Sequence, residues 1–395
     1  MKRIYLDHAA TTPIDKRVAN AMRDFELEYF GNPSSSHREG QRARAAIDTA
    51  RESIANFLNA KPQEIIFTSG ATEANNHVIQ GLVGHYYLHE YRTKPHIITT
   101  QLEHQSVYNT VKKLNEQEIV DVTFIDPSPD GLINADDVIR AITEETIMVS
   151  IIFASNEIGS VLPVREIGEK LADVNKRQKH QIMYHIDAVQ AAKFYNCNVD
   201  KLNCDMLTIS AHKLYGPKGI ATLYIRSGVK LKNLLYGGSQ EYGKRPGTQN
   251  TAGIIGMAAA IEGLGQLEDR QELRKNIAKL RDKLISEIKK IKDAELNGPE
   301  GESRTPDNVS FTFYGVDQDS LMTALDLAGI AASTGSACVS GSSEPSHVIT
   351  ALRKVNDRQA ATVRFTLGKD TTASDIKSAI KALNQIINQL RHSSR

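Results

Sequence analysis

Cysteine is scarce in this chain of 395 residues, with Cys197, Cys204 and Cys338 its only three. Three thiols cannot build a disulfide framework, and none sits in the paired CxxC spacing that holds a structural metal. A reducing compartment is therefore expected, with no metal site. An excess of charge of either sign is also missing: Lys plus Arg number 48 and Asp plus Glu 47, a formal net charge of +1. No basic surplus is left for a nucleic-acid backbone, and no acidic tail is present. Long apolar runs are absent too. The longest, near 254–261, is too short to span a bilayer. At the N-terminus, Asp7 and His8 interrupt MKRIYLDHAATTP before the apolar core of a signal peptide could form. These absences predict a cytoplasmic chain with no membrane span and no direct nucleic-acid contact. Its length suits two domains, or one large domain with a satellite, around a sizeable core.

What is present is an alternation of strand and helix patterns. After a short strand at 4–6, helical periodicity covers 15–29 and 38–58, separated by the turn-rich GNPSSSH, which reads as a connector or as a loop at a pocket mouth. Apolar strand runs follow at 65–68, 96–100, 147–154, up to Asp187, 206–209 and 221–225. A helix is expected at 164–177, and Gln190 is expected near the start of another. This order predicts an α/β fold, with a largely parallel sheet covered by helices on both faces and ligands gathering at the carboxyl ends of the strands. A long helical pattern, 251–291, breaks near Gly263 to Gly265. The domain boundary is placed near residue 260: a large domain at 15–260, and a smaller α+β domain from 1–14 and 261–395. The smaller part is expected to hold a strand at 308–314 and helices at 318–328 and 374–390.

Chemistry concentrates at the predicted strand ends. SAHKLYGPKG follows an apolar strand and ends in Gly-Pro punctuation, which places Lys213 in a tight loop. HIDAVQ closes another strand with Asp187. A lysine and a carboxylate on neighbouring strand ends can address two positions of one ring, which is what pyridoxal phosphate requires: an amine for its Schiff base and an acid for its pyridinium nitrogen. Ser210 and His212 are short donors for a phosphate. In SGATEANN, Gly70 permits a turn, and Ala71, Thr72 and Glu73 open a helix whose free N–H groups either attract an anion or merely start a capped helix. His104 lies just past a strand end, where it is structural or faces the same pocket, stacked on a ring or moving protons. Asn156 occupies the corresponding point after the next strand.

Three further residues lie toward the C-terminus. Thr248, in the glycine-rich GGSQEYGKRPGTQN, is a possible phosphate donor within what is otherwise a long surface loop. Cys338 sits in STGSACVSGSSEPS, at about 333–346, where small residues would keep a thiol accessible, while Cys197 and Cys204 fit buried hydrophobes. Arg364, between Val363 and Phe365, is either an ordinary exposed arginine or one that turns inward to hold a carboxylate with its planar fork.

YLDHAATTP, GNPSSSH, FTSGATEANN, EHQSV, SNEIG, HIDAVQ, SAHKLYGPKG, RPGTQN, GSACVSGSSEPS and VRFTLG, in this order over nearly the whole chain, resemble the motif series of cysteine desulfurases of the NifS/IscS type. The resemblance implies a fold-type I, aspartate-aminotransferase-like enzyme that binds pyridoxal phosphate and works as a homodimer with its active sites at the subunit interface. By position it implies that Lys213 is the Schiff-base lysine, Asp187 the pyridinium partner, Gln190 a hydrogen-bond partner of the ring hydroxyl, and His104 the residue stacked on the ring. Thr72, Ser210 and His212 would hold the phosphate, joined by Thr248 of the second subunit, while Asn156 and Arg364 bind the substrate carboxylate. L-cysteine would become L-alanine. The Lys213 amine would take the Cα proton, His104 would exchange protons with the sulfurs, and Cys338 would receive the sulfur as a persulfide. A sulfur-acceptor protein is implied as the next partner, in iron–sulfur cluster assembly or in tRNA or cofactor thiolation. Family members that serve iron–sulfur scaffolds often carry a longer C-terminal extension than RHSSR, a departure that counts against a scaffold role and leaves a dedicated acceptor open. Selenocysteine lyase, aminotransferase and a silent sulfur-relay protein are the alternatives on the same fold.

Overall fold

The apolar runs become strands because neighbouring backbone ladders satisfy their N–H and C=O groups while helices cover both faces. The computed structural model describes residues 3–89, 93–178, 180–335, 346–352 and 359–393. Its strands are β1 (Ile4–Tyr5), β2 (Ile65–Thr68), β3 (His96–Thr100), β4 (Asp121–Ile125), β5 (Thr146–Ile152), β6 (Met183–Asp187), β7 (Met206–Ser210), β8 (Ala221–Ile225), β9 (Ala294–Leu296), β10 (Asn308–Tyr314), β11 (Ile330–Ala331) and β12 (Ala360–Thr366). Its helices are α1 (Lys16–Glu28), α2 (Arg38–Leu58), α3 (Ala71–His89), α4 (Gln105–Glu116), α5 (Ala135–Arg140), α6 (Val164–Asn175), α7 (Val199–Leu202), α8 (Thr251–Glu262), α9 (Leu267–Ile288), α10 (Gln318–Leu327), α11 (His347–Ala351) and α12 (Ala373–Ser393).

Seven strands form the main sheet in the order β2-β8-β7-β6-β5-β3-β4, all parallel except β8, which is antiparallel to both neighbours. The fold is thus α/β with a mostly parallel sheet. Alternation along each strand sorts the side chains onto two faces. Ile97, Met148 and Met206 pack with α3 and α4 on one face. Ile98, Val149 and Leu207 pack on the other, with α2, α6 and α8. Because both faces are covered, all seven residues of β5 are buried, and the strand reads in sequence as a continuous apolar run.

A second core lies around the antiparallel sheet β12-β10-β9. Phe311, Phe313, Val363 and Phe365 meet Ile277 and Leu284 of α9, Leu321 of α10 and Leu383 of α12. Leu6 joins this core, carried there by the parallel pairing of β1 with β11. The two regions are tied by a fully buried ion pair, Lys193 with Asp307 at 2.5 Å. Among the described residues no helix is long and apolar enough to cross a membrane.

One expectation is corrected. Gln190 does not stand near the start of a helix, since the next one, α7, begins only at Val199. The intervening chain is a run of buried turns. Asp187 accepts from Val189 N, and Ala191 and Phe194 bond back to Ala188 and Ala191. Asn198 then caps α7 by accepting from Asp200 N and Lys201 N, so the helix starts where that cap supplies partners for its free N–H groups.

Candidate active site

A cavity of about 560 Å³ opens at the carboxyl ends of β5, β6 and β7 and takes in the N-termini of α3 and α4. Ala71, Thr72, His104, Asn156, Asp187, Gln190, Ser210, His212, Lys213 and Arg364 all line it. Thr248 does not: it is exposed and lies outside the lining of its own chain's cavity. Cys338 and most of its loop lie outside the described residues; Gly335, just before them, lines the cavity.

Lys213 reaches the cavity from a single 3-10 turn, Ala211–Lys213, that follows β7 directly. Its Nζ donates to the carbonyls of Ala9 at 2.5 Å and Ala10 at 2.7 Å. The N-terminal segment pins this turn from outside as well, because Thr12 N and Thr12 Oγ1 both donate to the His212 carbonyl. Two residues on, Tyr215 has a φ of 63°, a left-handed conformation that a bulky side chain adopts only when its surroundings impose it. Here Thr12 Oγ1 accepts from Tyr215 N, and the Tyr215 hydroxyl accepts from Lys369 N.

Asp187 ends the neighbouring strand. Its Oδ2 accepts from Asn75 Nδ2 at 2.8 Å and its Oδ1 from Val189 N at 3.0 Å. Gln190 donates its amide N–H to the Ala9 carbonyl at 2.9 Å, which leaves the acceptor half of the amide to meet a hydroxyl. His104 caps α4, with its Nδ1 accepting from Ser106 N. Burial lowers its pKa; Asp187 opposes that shift, and Lys213 and Arg364 add to it. His212 is pushed down to about 4 by burial, with Lys213, Lys218 and His104 adding to the effect.

Arg364 is buried, and its guanidinium donates to Asp7 Oδ1 and to the Asn156 carbonyl, each at 3.0 Å. Its Nε has no hydrogen-bond partner among the described residues. Arg364 itself lines the cavity, where a planar guanidinium suits an incoming carboxylate. Glu157 also lines the cavity; burial raises its pKa, and it accepts from the Ser346 hydroxyl.

Asp7, Asn75, Ser106 and Glu157 were not singled out from sequence. Asn75 had a signal available, since it lies three residues after Thr72 on one helix face. Asp7 had a weaker one, as the lone carboxylate in the N-terminal motif.

Pyridoxal phosphate fits this set. Its phosphate would meet the first turn of α3, the hydroxyls of Thr72 and Ser210, and His212, where N–H groups and the helix dipole favour an anion. Its pyridinium N–H would meet Asp187, and its aldehyde carbon the Lys213 amine. The cavity is also within the size range of sites that hold a small molecule.

Comparison with known proteins agrees with the geometry. The profile of the family described as Aminotransferase class-V matches residues 4–378. The chain is 45% identical over 394 residues to cysteine desulfurase IscS of Dictyoglomus turgidum, covering 99% of this chain and 96% of the relative. It is 41% identical over 393 residues to cysteine desulfurase IscS of Methanosarcina thermophila, covering 100% of this chain and 94% of that one. Among solved structures, a NifS-like protein superposes with a TM-score of 0.88 at 33% identity, over 98% of this chain and 100% of the other. SspA in complex with cysteine gives a TM-score of 0.77 at 36% identity, over 93% of this chain and 100% of the other.

Proposed function

The chain belongs to the aminotransferase class-V family and is a pyridoxal-phosphate-dependent cysteine desulfurase; we propose that it takes sulfur from L-cysteine onto Cys338 in the cavity built around Lys213. The observation that carries this reading is the meeting of Lys213, Asp187 and Arg364 in one cavity, so that an amine, a pyridinium partner and a carboxylate clamp face a single small molecule. The bound cofactor supplies an electron sink for the bond changes at the substrate amino acid.

Each residue then has a task set by its chemistry. Ala71 and Thr72 at the start of α3, with Ser210 and His212, hold the phosphate. Asp187 would hold the ring nitrogen protonated, with Asn75 and Val189 N fixing its carboxylate. Gln190 would accept from the ring hydroxyl, and His104 would cover the ring. Arg364 and Asn156 orient the substrate carboxylate. With cofactor and substrate bound, the Lys213 amine would take the Cα proton and return it to carbon. Cys338, as thiolate, attacks the substrate sulfur: the C–S bond breaks, an S–S bond forms, and the carbon keeps the electron pair and is protonated. L-cysteine and the Cys338 thiol thereby become L-alanine and a Cys338 persulfide, with no outside oxidant. Thr248, exposed on its own chain, completes the phosphate site of a second copy in a homodimer. A sulfur-acceptor protein in the cytoplasm then takes the persulfide sulfur, for iron–sulfur cluster assembly or for thiolation.

The test is alanine release from L-cysteine by the cofactor-loaded protein under reducing conditions, with Cys338→Ala beside it. The parent is expected to release alanine and to carry a persulfide. The variant is expected to keep the yellow cofactor and to lose both. Equal alanine release from both proteins would remove Cys338 from the reaction and favour a selenocysteine lyase, and release from neither would reopen the aminotransferase and relay alternatives.

A further inference from the structure

The hydrogen bonds around His104 have a direction. A backbone N–H only donates, and that of Ser106 reaches His104 Nδ1 at 3.1 Å. Nδ1 is therefore an acceptor. The Ser106 hydroxyl, 2.8 Å from the same nitrogen, must donate to it as well. The hydroxyl oxygen in turn accepts from Asn75 Nδ2 at 2.9 Å, and the second N–H of that amide group goes to Asp187 Oδ2 at 2.8 Å. One directed chain thus runs from α3 to both the carboxylate at the end of β6 and the imidazole that caps α4. Asn75 and Ser106 are both buried, so water does not compete for these bonds.

We propose that Asn75 and Ser106 are positioning residues that lock His104 as the Nε2–H tautomer, so that its imidazole faces the bound cofactor and substrate as a neutral hydrogen-bond donor and not as a proton carrier. Gaining a proton would place it on Nδ1. That would break the helix cap, point an N–H donor at the Ser106 N–H and O–H donors, and set a cation against the positive end of α4. Losing the Nε2 proton would leave an imidazolate. Proton movement at Cα and at sulfur then falls to the Lys213 amine and the thiols. Of the charged groups around the ring, Asp187 favours the imidazolium, while Lys213 and Arg364 oppose it; the rings of His212 and His347 are its other titratable neighbours.

The donor role rests on the desulfurase reading, but the tautomer does not. The test is ¹⁵N NMR of the full chain labelled at histidine, with and without pyridoxal phosphate, the His104 signals being assigned with His104→Gln. The parent should show a proton on Nε2, an unprotonated Nδ1, and no titration of His104 between about pH 5.5 and 8, where an ordinary histidine changes charge. Ser106→Ala should lower the tautomer preference roughly two- to tenfold, the weight of one net hydrogen bond, and Ser106→Thr should restore it. A proton on Nδ1 in the parent, imidazolium in that pH range, or an unchanged tautomer ratio in Ser106→Ala each overturns the proposal. The parent spectrum decides the matter by itself if a variant fails to fold. Because the spectra report on His104 whether or not cysteine is turned over, loss of the desulfurase reading and loss of this inference are distinguishable.

Discussion

The parallel and antiparallel sheets supply the cavity by different routes. β6 and β7 run side by side in the same direction, so Asp187 at one end and Lys213, one turn beyond the other, arrive together. β10 and β12 run in opposite directions, and their carboxyl ends point apart. Arg364 therefore comes from the middle of β12. Val363 and Phe365 enter the second core while Arg364, on the opposite face, reaches Asp7 and Asn156. A parallel sheet gathers groups by topology alone. An antiparallel one must commit a buried strand face, which makes its contribution depend on how the two regions dock.

The largest test of that dependence is the ion pair between the regions. Lys193→Met should leave Asp307 buried without its partner and cost about 3–5 kcal/mol in urea unfolding, and adding Asp307→Leu should recover most of the loss. Equal stability of parent and single variant would show that the docking rests on apolar contact alone. Next is the clamp itself. Arg364→Lys keeps the charge but loses the planar fork, so the KM for L-cysteine should rise roughly 10- to 100-fold with a much smaller change in kcat, as for loss of hydrogen bonds to a charged group. A fall in kcat alone would place Arg364 outside substrate binding.

The smallest effect is expected at the rim. Asp15 caps α1 by accepting from Arg17 N and pairs with Lys369 of the second region. The Lys369 hydrogen bond, foremost among its contacts, holds the Asp15 carboxyl well below its ordinary value. A depressed carboxylate contributes stability above the unfolded value of 3.8 and loses it as pH falls below that. Asp15→Asn should therefore cost no more than about 1 kcal/mol at neutral pH, since the pair is partly solvated and Asn still caps. The gap to the parent should close as pH drops through the acid range. A gap that persists at low pH would assign the loss to packing.

What could be read from sequence follows the same division. Buried strands β2, β3, β5, β6, β7 and β8 were legible because covering both faces makes each a run of apolar residues. β4, at the sheet edge, was not, since only Ile125 of DVTFI is buried; β9 has three residues, and all are half-buried. His104, Asn156, Asp187 and Lys213 stood out because each ends its strand or follows it within a few residues, a local relation. Asn75 and Ser106 did not, because a buried amide and a buried hydroxyl look like any others until their partners are known.

By itself, then, the sequence determined which chemical groups stand at the strand ends of the main sheet, since a strand, its turn and the next helix start are written in consecutive residues. Only the tertiary structure decided that the Ala9 and Ala10 carbonyls hold the Lys213 amine, that Asp7 pairs with Arg364 at the cavity wall, and that His104 turns Nδ1 toward the Ser106 N–H. Those contacts join residues far apart in the chain, or depend on the direction of single hydrogen bonds, and no periodicity in the sequence encodes either.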